Sequence, residues 1–118
     1  MRFLIIDDAK KITDPLKDLI KLEGHDCVIT DDGQKGLKLI KEQKWDGVIL
    51  DLAMPQFSGY DVIDNLEREG MIKNNKIIVF TAVSITDGEI EKLRSRGIHS
   101  CLRKPTGVER VLNALGIK

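Results

Sequence analysis

Cysteine is scarce: 118 residues hold only Cys27 and Cys101, far apart and without CxxC spacing. They form no disulfide framework and read as reduced core thiols of a cytosolic chain. Aromatics are also few. Three Phe, one Tyr and one Trp leave little for stacking on bases or sugars. Neither sign of charge dominates, because Lys+Arg and Asp+Glu each number 19 and are interspersed. Without a basic excess, nucleic acid is not an expected partner. No apolar run approaches the roughly 18 residues of a membrane span, so no membrane partner is expected either. The opening Met1-Arg2-Phe3-Leu4-Ile5-Ile6-Asp7-Asp8 is too short for a signal peptide and runs straight into acids. His25 and His99 form no HxH or HExxH motif and read as loop or strand-edge residues.

What the chain does contain is order. At 42% hydrophobic and 32% charged, residues 1–118 read as one globular domain with an ordinary core. Short apolar runs at Phe3–Ile6, Cys27–Thr30, Gly47–Asp51, Lys76–Thr81 and Ile98–Arg103 suit strands, the central ones buried on both faces. Between them, apolar residues recur at helical spacing: Ile12, Leu16, Leu19 and Ile20; then Leu37 and Ile40; then Tyr60, Ile63 and Leu66; then Ile90 and Leu93; then Val108, Val111, Leu112 and Leu115. Asp14-Pro15 is expected to start the first helix, since proline suits a first turn. Asp87 is expected to cap the fourth, and Gly24, Gly70 and Gly97 to end helices. Strand and helix alternate five times, which implies right-handed crossovers and a parallel sheet covered on both faces. Five units are too few for a closed eight-stranded barrel, so an open sheet is expected.

The strand ends carry the chemistry. The first strand delivers Asp7 and Asp8, the third Asp51, the fourth Thr81 and the fifth Lys104-Pro105. Open α/β sheets bind ligands at the carboxyl ends of their strands, and the order 2-1-3-4-5 puts the first and third side by side. Taken singly, each residue reads as a turn, a helix cap or a surface group. Together they converge. Unit charges 4 Å apart repel by about 4 kcal/mol at an effective dielectric of about 20. Three clustered carboxylates therefore call for a hard divalent cation with oxygen ligands, most plausibly Mg²⁺. With a carboxylate nucleophile, a cationic lysine and a hydroxyl donor, the set suits phosphoryl transfer to form an acyl-phosphate. A cis peptide before Pro105 would suit that loop.

Ile5-Ile6-Asp7-Asp8, Leu50-Asp51-Leu52-Ala53-Met54-Pro55 with Ser58-Gly59, Phe80-Thr81-Ala82 and Lys104-Pro105 together resemble the receiver domains of two-component response regulators, single-domain chemotaxis type included. The resemblance spans the whole chain. It implies a flavodoxin-like, doubly wound five-stranded parallel sheet with five helices. It further implies Asp51 as phosphoacceptor, Asp7, Asp8, Asp51 and the Ala53 backbone carbonyl around Mg²⁺, Thr81 as switch hydroxyl and Lys104 as phosphate-binding cation. Phosphate would come from a sensor histidine kinase, a phosphotransfer protein or a small donor such as acetyl phosphate. The signal would be read by a protein partner or output domain on the face of the fourth helix, fifth strand and fifth helix. Such a chain is a cytoplasmic switch, monomeric or weakly dimeric, whose only catalysis is its own phosphorylation and dephosphorylation. The alternative is a pseudo-receiver scaffold that binds partners without phosphate. Three departures bear on the switch. Cys101 stands where the family usually has an aromatic. Ala53 and Val83 offer no side chain to orient water, so a long-lived phosphoryl group is expected. Thr106-Gly107 alters the expected signalling face.

Overall fold

The structure, a computed structural model, describes residues 1–117. Five strands alternate with five helices: β1 (Arg2–Ile6), α1 (Lys10–Leu22), β2 (Asp26–Thr30), α2 (Gly33–Glu42), β3 (Gly47–Leu50), α3 (Gly59–Arg68), β4 (Ile77–Thr81), α4 (Asp87–Ser95), β5 (Ser100–Arg103) and α5 (Val108–Ala114). The strands form one parallel sheet in the order β2-β1-β3-β4-β5, as the alternation predicts. Ile5 lies level with Ile29 on one side and Ile49 on the other, and Ile49 with Ile78.

Two-residue periodicity divides the core. Leu4, Ile6, Val48, Leu50, Ile77 and Val79 face one side, where Ile40 of α2, Ile63 and Leu66 of α3 and Leu93 of α4 cover them. Phe3, Ile5, Ile49, Ile78 and Phe80 face the other, under Leu16 and Ile20 of α1 and Val111 of α5. The three central strands are therefore apolar at almost every position, which is why they read as unbroken hydrophobic runs. Cys27 packs in the second cluster and Cys101 against the first, so the sheet separates two free thiols. His25 and His99 flank strands, as their surroundings in the sequence suggest.

Two helix starts differ from expectation. α1 begins at Lys10 rather than Asp14, which leaves Pro15 inside the helix. Proline there removes one N–H from the helical ladder. The earlier start adds a turn that packs Ile12 against the same core cluster as Leu16 and Ile20. In α4, Thr86 is the cap, its hydroxyl accepting from the Glu89 N–H at 3.1 Å, and Asp87 is the first helical residue. The glycine stops hold: Gly24, Gly70 and Gly97 take φ values of 87°, 68° and 114°. Among the described residues, no helix is long and apolar enough to cross a membrane.

Candidate functional site

Backbone bonding extends the sheet one residue past the ends of the strands and so places the site. The Asp7 N–H donates to the Thr30 carbonyl at 3.0 Å, and the Asp51 N–H to the Ile6 carbonyl at 2.9 Å. Opposite them, the Lys104 N–H donates to the Thr81 carbonyl at 2.8 Å. The chain then leaves the sheet in the same way three times. Asp7 Oδ1 accepts from the Ala9 N–H (2.9 Å), Asp51 Oδ1 from Ala53 (3.2 Å) and Thr81 Oγ1 from Val83 (3.2 Å). Each is a side chain closing a turn onto the backbone two residues on. The turn-forming role of these residues and their presence in the site are therefore one arrangement, not rival readings.

With Oδ1 of each aspartate engaged in a turn, the Oδ2 atoms face Lys104. Its Nζ donates to Asp7 Oδ2 at 2.7 Å and lies 3.6 Å from Asp51 Oδ2. The ring of Phe80 sits beneath this ammonium, 5.3 Å from Nζ to the ring centroid. Asp7, Asp51 and Thr81 are buried, whereas Asp8 is exposed to solvent. One carboxylate oxygen from each of Asp7, Asp8 and Asp51 falls within 4.8 Å of the others. Burial pushes the Asp7 carboxyl above its ordinary value, and the charge of Asp51 adds to this. The Lys104 and Ala9 hydrogen bonds pull it back only in part.

α3 closes over the end of β3. A Cβ on Gly59 would stand 2.3 Å from the Asp51 carbonyl oxygen and 2.8 Å from Leu52 Cα, so only glycine permits the approach. Ser58 and Asp61 form a reciprocal capping box at that helix start. The Lys104-Pro105 bond is cis, as anticipated. Every side chain expected at the site is thus at the carboxyl edge, and Lys104 joins Asp7 and Asp51 directly. Ala53 enters through its N–H.

One participant was not foreseen. The Arg103 guanidinium donates to the Ile85 carbonyl (3.1 Å) and to Asp87 (2.8 Å), tying the loop after β4 to the end of β5. The sequence holds no spacing signal for it, because the two residues meet only across the sheet edge.

Three carboxylates, one of them open to water, are a donor set suited to a hard divalent cation that keeps part of its hydration shell.

Comparison with known proteins agrees. The model of the response regulator receiver domain matches residues 3–116. The chain belongs to the response regulator receiver family, the phosphorelay input modules of two-component signalling. A response regulator receiver protein of Anaeromyxobacter is 27% identical over 95% of this chain, which spans 46% of that protein. The polar-differentiation response regulator DivK of Brucella anthropi is 26% identical over 95% of this chain and 90% of its own length. The response regulator TrrA of Thermotoga maritima, solved in complex with Mg²⁺-BeF, superposes with a TM-score of 0.79 at 27% identity, covering 98% of this chain and 96% of that one.

Proposed function

We propose that this receiver takes a phosphoryl group onto Asp51 in a Mg²⁺-dependent reaction and thereby changes its affinity for a protein partner. The observation that carries the reading is the shared position of Lys104 Nζ, 2.7 Å from Asp7 and 3.6 Å from Asp51, beside three carboxylates whose oxygens lie within 4.8 Å of each other. Asp51 Oδ1 is held by the Ala53 N–H, which leaves Oδ2 as the attacking atom. The new bond joins Oδ2 to phosphorus, and the bond from phosphorus to the donor's nitrogen or oxygen breaks. Lys104 shifts its charge from the carboxylates to the incoming phosphoryl oxygens, and the Thr81 hydroxyl donates to one of them. Asp7, Asp8, Asp51 and the Ala53 carbonyl would hold Mg²⁺, which supplies the positive charge that lets anionic phosphate approach anionic carboxylates.

The donor in this reading is a sensor histidine kinase, a phosphotransfer protein or a small acyl phosphate. The output partner or domain reads the face of α4, β5 and α5. The chain is a switch rather than a turnover enzyme, because the side chains of Ala53 and Val83 cannot activate water. It acts in the cytoplasm as a monomer or weak dimer. The TrrA complex with Mg²⁺-BeF and the match to DivK support the reading. No specific observation favours the pseudo-receiver alternative.

The test is intact mass after incubation with acetyl phosphate, with and without Mg²⁺, for the wild type and Asp51→Asn. A gain of one phosphoryl group that needs Mg²⁺ and is lost in the variant is expected. It should decay more slowly than in receivers with amide or acid side chains at the positions of Ala53 and Val83. If wild type gains no mass from either acetyl phosphate or a phosphorylated kinase, and binds no Mg²⁺, the scaffold reading replaces this one.

A further inference from the structure

We propose that the cleft between α1, the end of β4 and α5 is a binding site for a small amphipathic carboxylate, with the acyl chain inside and the head group at Lys11. The cleft holds about 440 Å³, within the range of small-molecule sites. Its walls are apolar: Ile12 and Leu16 from α1, Phe80 from β4, and Val108 and Val111 from α5. Its charged lining residues are two, Lys11 and Lys104, and both are cations. In a chain whose acids and bases are equal in number, a concavity bordered by bases alone is a local departure.

The two lysines are not equivalent. Lys104 is committed to Asp7 and Asp51. Lys11 is exposed and, among the described residues, makes no ion pair. The first turn of α1 contains no acid, and Asp8 and Asp14, three residues to either side, form no ion pair with it. An occupant matching this lining has an unbranched apolar body and one negative end. A dianionic phosphate lacks the body, and a neutral alkane lacks the end. Val108 is among the large apolar residues that stay exposed, and it lines the cleft, where an acyl chain would cover it.

The site stands apart from the phosphoacceptor reading, because its ligand pairs with Lys11 and needs neither Mg²⁺ nor Asp51. The experiment is an amide NMR titration of the full chain with sodium octanoate, octan-1-ol and octyltrimethylammonium. Octanoate should give saturable shifts centred on Ile12, Thr106 and Val108. Lys11→Glu should weaken it by about two- to fivefold, the scale of an exposed ion pair. Val108→Trp, which fills the cleft, should weaken it by about tenfold or more, the loss of two or more buried methylenes. Octanol should bind more weakly than octanoate, and the cation most weakly. Shifts that do not saturate, that map elsewhere, or that are equal for the three probes would overturn the assignment. So would unchanged octanoate affinity in Lys11→Glu, a surface change that leaves the fold intact.

Discussion

The two edges of the sheet are built from the same strands and treat polar groups in opposite ways. At the amino edge, polarity is neutralised. Trp45 is buried with its indole N–H on the Leu39 carbonyl at 2.9 Å, the Arg2 guanidinium lies 4.8 Å from its ring centroid, and the Arg2 N–H meets Asp46 at 2.7 Å. At the carboxyl edge, Asp7, Asp51 and Thr81 are buried with one cation among them. One end is made to hold the fold; the other keeps unbalanced charge in reserve. The lesson is that the buried charge of the candidate site is tolerated because it stands on a fully buried apolar core.

The comparison breaks most severely at Trp45. Trp45→Ala removes a buried ring and one of the two donors to the Leu39 carbonyl, which keeps the Gln43 N–H, and should cost about 3 kcal/mol in urea unfolding. The carboxyl edge should behave the other way. Asp7 carries a raised carboxyl, so the folded state binds more protons than the unfolded state between the ordinary carboxylate value and the raised one. Its contribution to stability is therefore favourable in acid and fades as pH rises through that window. In metal-free buffer at neutral pH, Asp7→Asn should stabilise the fold, because it removes the cost of burying an ionised carboxylate. The gain should shrink as the solution is acidified and the wild-type carboxyl becomes neutral. Saturating Mg²⁺ should reverse the order, stabilising wild type by about 2.7 kcal/mol at a hundredfold excess over Kd and the variant by less. Unfolding midpoints across pH, with and without the ion, measure all of this. A wild type that loses stability on acidification from neutral pH relative to Asp7→Asn would contradict it.

The smallest effect tests local strain at the same edge. Gln56, in the loop from β3 to α3, adopts φ 68°, a left-handed conformation that disfavours side chains. Gln56→Gly should stabilise the fold by roughly 0.5 kcal/mol after the entropic cost of glycine in the unfolded chain, read as a slightly higher melting temperature.

Much of this was legible before any coordinates. The unbroken apolar runs of β1, β3 and β4 announce strands buried on both faces, and the alternation with helices leaves little choice of architecture. Asp7, Asp8, Asp51, Thr81 and Lys104 each follow or end a strand, so the sheet order alone brings them to one edge. Less legible were the features that depend on neighbours distant in sequence. Pro15 suggests a helix start, yet α1 begins at Lys10, where an extra turn packs Ile12 beside Leu16 and Ile20 and tertiary burial outweighs a local preference. Asp87 looks like a cap but instead holds Arg103, while Thr86 takes the cap.

Periodicity and strand-end chemistry, both short-range properties, thus determined the fold class and the residues of the site. Tertiary structure alone decided which oxygen faces Lys104, how far burial raises Asp7 and where α1 begins. The reason is physical: desolvation and ion pairing depend on distances between residues as far apart as Asp7 and Lys104, and only the closed sheet sets those distances.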